Sequence, residues 1–197
     1  SKDNMKYMMC FLPFVGTVVG VLFAGTAYAG NYFFFEPVFV AALMTAVPVL
    51  VTGGIHVDGL LDTADAMSSW QERERRLEIL KDSRAGAFAV ITACVYFLTL
   101  LGAYVQVQKN NAAVLVLAFG FMISRCLSGI GVVTLPKAKP DGTVADFSRN
   151  SSERTVRVVL FVYLAALFAG MVYIQPVYGI AAFGTAAVSY THLTLPT

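Results

Sequence analysis

Long apolar runs separated by polar breaks organise the whole chain. Residues 7–29, 33–52, 87–108, 112–135 and 156–175 are apolar over lengths at or near a bilayer crossing, and a shorter run occupies about 177–190. A helix needs roughly 20 such residues to traverse the hydrocarbon core. The pattern therefore predicts an all-α fold, a polytopic transmembrane helical bundle of five to six membrane-spanning helices. The breaks near 30–32, 109–111 and 175–178 are tight, whereas those near 53–86 and 136–155 are long and hold most of the charge.

Composition agrees with this pattern. Of 197 residues, 57% are hydrophobic and 13% charged, where a soluble domain is about a quarter charged. A net charge of +2 gives no footing for nucleic acid. Twelve of the 14 Lys and Arg residues fall on one side of the implied weave, with Lys109 opposite and Arg125 inside a span. By the positive-inside rule both long breaks face the cytoplasm. Cys10, Cys94 and Cys126 all lie in apolar runs, with no CxxC pair, and are expected as small core hydrophobes.

The chemistry is concentrated in "GGIHVDGLLDTADAMSSW", residues 53–70, which holds three aspartates and a histidine and no cation. On a helix, Asp58, Asp62 and Asp65 fall at i, i+4 and i+7, within an arc of about 60°. Like charges so spaced destabilise a bare helix. A hard cation such as Mg²⁺, which takes one or two carboxylates and completes its shell with phosphates and water, removes that cost; the competing account is a solvated acidic turn. His56 lies off this stripe and reads equally as a packed, capping or catalytic residue. The following "QERERRLEILKDSRAG", 71–86, predicts an amphipathic, salt-bridged helix at the interface. In its "KDSR", Lys81 and Arg84 flank Asp82 at the mouth of the next span, a set suited to phosphate oxygens and a metal. Arg125, in "MISRCLSG", is an intramembrane guanidinium, by default functional or paired with an acid.

Taken together, "GGIHVDGLLDTADA" and "RRLEILKDSRAGAFAV" closely resemble the cobalamin synthase family, the adenosylcobinamide-GDP ribazoletransferases of cobamide biosynthesis. That family shows a GG-x-H-x-DG-x-x-DT-x-D stretch followed, at this separation, by LEI-x-KDSR-x-G; "LPFVG" at 12–16 and "SR" at 124–125 are similar too. The resemblance covers about residues 8–185. It implies a Mg²⁺-dependent, multi-pass enzyme of the cytoplasmic (inner) membrane of a prokaryote, with its active-site loops on the cytoplasmic side. Such an enzyme joins adenosylcobinamide-GDP to α-ribazole or its 5′-phosphate and releases GMP. Asp58, Asp62, Asp65 and Asp82 would be the catalytic and metal-holding carboxylates. Lys81, Arg84, Arg125 and His56 would bind substrate phosphate, and Asp65 or Asp82 would accept the proton of the attacking ribose hydroxyl. Besides substrates and lipid bilayer, the partners to expect are a second copy of the chain or other cobamide-assembly enzymes.

Two departures from the family pattern stand out. Ala66 follows Asp65 where glycine is common, and the family's later GG-x-TGD-x-x-GA stretch has no counterpart. The expected organisation is thus a single integral-membrane catalytic domain over 1–187, shortened at both ends, with 188–197 ("VSYTHLTLPT") a non-native tail. A CDP-alcohol phosphotransferase-like enzyme would require an Asp-Gly-x-x-Ala-Arg run, but Asp65 follows Ala64. A prenyltransferase-like enzyme would need a second aspartate pair, and Asp141 and Asp146 are wrongly spaced. An ion transporter would place its acids at mid-span.

Overall fold

The computed structural model describes residues 7–82, 84–135 and 152–194, omitting the side chains of 192–194. Ser83 and nearly all of the 136–155 break, with Asp141 and Asp146, lie outside the described residues, as does the end of the 188–197 tail. All regular elements described are helical: a 3₁₀ turn Met8–Phe11, then α1 Leu12–Tyr32, α2 Pro37–Val51, α3 Ile55–Ser68, α4 Arg73–Ile79, α5 Ala87–Val107, α6 Asn111–Thr134, α7 Glu153–Ile174 and α8 Pro176–Thr194. Helices are the expected outcome, because in lipid an isolated segment satisfies its backbone groups only by bonding within itself.

Among the described residues, four segments are long and apolar enough to cross a membrane, Met8–Tyr32, Ala87–Val107, Asn111–Thr134 and Glu153–Ile174, and the bent pair Pro37–Val51 with Ile55–Ser68 makes a fifth if it is one span. The run 33–52 is not a straight span. With 15 residues, α2 is about 22 Å long, and it breaks through a 91° bend into α3. Gly53 and Gly54 make the bend with left-handed φ of +63° and +76°, values that cost a side-chain-bearing residue dearly. Their amides close the end of α2, Gly54 N–H on Val49 O and Gly53 N–H on Leu50 O. The sixth run forms α8, a helix outside the set of membrane-length apolar segments.

Packing divides the chain into two compact units, Ser1–Ala24 with Asn110–Thr197, and Gly25–Lys109. In the first, α6, α7 and α8 pack together around Ile123, Cys126, Ile130, Val156, Leu160 and Met171. Gly16 and Gly20 of α1 lie against the α6 backbone so closely that a Cβ on either would fall 2.5 Å from Phe121 O or 2.6 Å from Ala118 O. In the second unit, α2 and α3 both pack on α5, and α4 packs on α3. Cys10 and Cys126 are core residues as expected. Cys94 is exposed instead, on an α5 surface that also presents Val95 and Leu98 at 60% and 69% exposure, a face fit for lipid.

Candidate active site

Seven of the eight residues singled out from the sequence, all but Arg125, belong to the second unit. Asp58, Asp62 and Asp65 are on α3, as the i, i+4, i+7 spacing predicts, and His56 is in its first turn. Asp58 also stands in that first turn, where the helix dipole favours a carboxylate. Asp58 and His56 are exposed, Asp62 and Asp65 partly buried. Among the described residues, no hydrogen bond or ion pair engages the carboxylates of Asp58 and Asp62.

Asp65 is differently placed. Its Oδ2 accepts from Gly86 N–H at 2.5 Å and its Oδ1 from Ala89 N–H at 2.8 Å. These are orphan donors at the N-terminus of α5, where the N-cap residue Gly86 has no side chain to bond them. Capping of this kind is worth about 0.5–2 kcal/mol. A Cβ on Gly86 would sit 2.7 Å from Asp65 Oδ1 and 2.9 Å from Cγ, so glycine is what lets the carboxylate come in.

In the "KDSR" loop, Asp82 and Arg84 hold one another. Asp82 Oδ1 accepts from the Arg84 amide and from Nε, both at 3.0 Å, and Oδ2 accepts from Nη2 at 2.8 Å. The Arg84 side-chain bonds, with its amide, hold the Asp82 carboxyl down to about 2 from the usual 3.8, and Arg84 is raised in return. Because the folded value is depressed, the pair's contribution is fully present above about pH 4 and lost as pH falls through about 2. The ¹³C signal of the Asp82 carboxylate should accordingly stay flat between about pH 5 and pH 8, and in Arg84→Gln its titration should return to the ordinary carboxylate range. A midpoint unmoved by that substitution would mean the pair does not form. Lys81 is exposed beside it. Upstream, α4 carries the expected surface ion pair, Arg75 with Glu78 at 2.6 Å, a contact worth little at such exposure. Arg125 is partly buried on α6, in the other compact unit.

Among the described residues, no three His, Cys, Asp or Glu side chains converge on a common point. Asp65 and Asp82 are committed to α5 and to Arg84. Four carboxylates thus do not form a ready cage. Asp58 and Asp62, one helical turn apart, do fit an ion that draws its remaining ligands from water and substrate phosphate.

Acids and cations gathered in one unit, beside the N-terminus of a membrane-length helix, are the equipment of a membrane enzyme that handles phosphorylated substrates. A family model described as cobalamin-5-phosphate synthase matches residues 1–195. An adenosylcobinamide-GDP ribazoletransferase of Lachnoclostridium phytofermentans is 40% identical over 190 residues, covering 96% of this chain and 72% of that protein. One from Clostridium botulinum (strain Eklund 17B) is 33% identical over 166 residues, 84% of this chain and 65% of its own length. A third, from Clostridioides difficile, is 29% identical over 180 residues, 88% and 68%. No solved structure matches. The chain belongs to the cobalamin-5-phosphate synthase family, transferases of cobalamin biosynthesis that act at nucleotide-loop assembly.

Proposed function

We propose that this chain joins adenosylcobinamide-GDP to α-ribazole or its 5′-phosphate with release of GMP, using Mg²⁺, at the cytoplasmic face of a prokaryotic inner membrane. The observation that carries the reading is the pair of carboxylates, Asp58 and Asp62, that no described residue engages, in the same compact unit as Lys81, Asp82 and Arg84. Family membership supplies the substrates.

The reaction is a displacement at phosphorus, in which positioning and charge neutralisation do most of the work. A bound Mg²⁺ would offset charge on the diphosphate and on departing GMP. Asp58 and Asp62 would hold that ion from one face of α3. Lys81, with its exposed ammonium, meets remaining phosphate charge, and Arg84 does so as well once it leaves Asp82. While paired to Arg84, Asp82 is too weak a base to take the ribose hydroxyl's proton near neutrality. The test is GMP release from adenosylcobinamide-GDP and α-ribazole in proteoliposomes, titrated with Mg²⁺. Release that requires both substrates and the ion supports the reading; no release under any Mg²⁺ concentration overturns it.

Orientation follows from the Lys and Arg distribution. In a chain lacking Cys10, Cys94 and Cys126, a Gln71→Cys variant should resist a membrane-impermeant maleimide added to intact cells and react after permeabilisation. Gln71 is exposed, so burial would not mask it. Ready labelling of intact cells would invert the topology.

A further inference from the structure

We propose that Asp65 is a positioning residue and not a metal ligand: its carboxylate staples the end of α3 to the start of α5 and so sets the distance between the Asp58–Asp62 pair and the Lys81–Arg84 segment. The inference rests on the reading of Asp58 and Asp62 as the ion-holding pair. Three carboxylates share one helix face, yet they are in different situations. The carboxylates of Asp58 and Asp62 carry no bond among the described residues, whereas both oxygens of Asp65 accept from backbone amides, those of Gly86 and Ala89.

The staple closes a long excursion. Asp65 and Gly86 are 21 positions apart, and the chain between them holds α4 and the Lys81–Arg84 loop. With both ends of the excursion held, the segment that carries Lys81 and Arg84 is tethered to the end of α3 by more than the seven-residue α4. The site is built for this contact from both sides. Ala66 and Ala89, next to the bonding groups, are 3% and 0% exposed. Gly86 has an extended backbone (φ −85°, ψ 178°) that any residue adopts, so its glycine answers to the space that the Asp65 carboxylate occupies. Turning Asp65 toward an ion would leave the Gly86 and Ala89 donors without their acceptor.

The experiment uses the full chain in liposomes, with Mg²⁺ as the probe, and the variants Asp65→Asn, Asp65→Ala, Gly86→Ala and the Asp65→Ala/Gly86→Ala double. Asparagine keeps only one acceptor oxygen for the two amides of Gly86 and Ala89, so Asp65→Asn should lower GMP release, but by less than Asp65→Ala does. Its half-saturating Mg²⁺ should stay within about twofold of the parent, where loss of a residue that matters directly to the ion shifts affinity about tenfold or more. Asp65→Ala and Gly86→Ala should each lower kcat by about tenfold or more, the effect of misplaced groups, at unchanged Mg²⁺ requirement. The double variant should be no worse than Asp65→Ala alone, because removing the carboxylate removes the clash with the methyl group that Gly86→Ala introduces. Melting of the same four proteins without substrate should show the same non-additivity. If the parent releases no GMP, the function reading fails and the melting cycle alone decides: additive losses overturn the staple. With an active parent, a tenfold higher Mg²⁺ requirement in Asp65→Asn, or a fully active Gly86→Ala, overturns it equally.

Discussion

Changing Asp62 to asparagine should lower GMP release by on the order of a hundredfold, the scale of losing one preorganised electrostatic contact at a developing charge. The substitution keeps shape and volume and removes only the charge. The Asp62 carboxylate has no hydrogen bond or ion pair among the described residues, so its charge is not spent on holding them together, and expression and membrane insertion should stay near the parent's. Loss of activity without loss of protein is then a property of the ion site. The Mg²⁺ titration separates the explanations: a ligand defect raises the Mg²⁺ requirement, and part of the activity returns at high Mg²⁺. Glu74→Gln is the matched control, an exposed acid in the first turn of the short α4, and should change turnover little. An Asp62→Asn enzyme with the parent's rate and Mg²⁺ dependence would remove the α3 carboxylates from the mechanism.

The helical architecture was legible because runs of some 20 apolar residues leave the backbone one way to satisfy itself in lipid. The α3 stripe was legible for a related reason, since the spacing of Asp58, Asp62 and Asp65 means one face only if the segment is helical. Hydropathy did not show that the run 33–52 ends in a 91° bend, because counting apolar residues ignores backbone conformation. The adjacent Gly53 and Gly54 were nevertheless visible as candidates for left-handed geometry.

The partners of Asp65 were hidden more deeply. Backbone amides carry no residue-type signature, and those of Gly86 and Ala89 lie 21 and 24 positions away. From sequence, the three aspartates therefore looked alike. Asp82 was read as a metal-holding carboxylate and Arg84 as a separate phosphate contact, although an acid two residues before an arginine can bond both its amide and its guanidinium. The family resemblance named the reaction and treated all four carboxylates as metal-holding, with Asp65 or Asp82 as proton acceptor; the structure shows that these two are already engaged.

A second large effect is expected far from the acids, at Gly16. The spacing of Gly16 and Gly20 is the small-xxx-small pattern that lets membrane helices approach backbone to backbone, a signal present in the sequence that attention to charge passed over. A Cβ at position 16 would lie 2.5 Å from Phe121 O and 2.8 Å from Met122 Cα. Those are main-chain atoms of α6, which cannot swing aside as a side chain does. The ring of Phe23, further along α1, meets Phe121 edge-on with centroids 5.3 Å apart, so the approach extends over about two turns of α1. Gly16→Val must separate them or distort α6, at an overpacking cost of about 1–3 kcal/mol. For a chain of this size, that is a fall in melting temperature of roughly 2–12 °C. Gly25→Val, on the same helix with nothing within 4 Å of its Cβ position, carries the same change in helix propensity and should melt near the parent. Comparison of the two in one detergent isolates the close approach from the cost of valine itself. If they melt together, α1 and α6 do not meet along this glycine stripe.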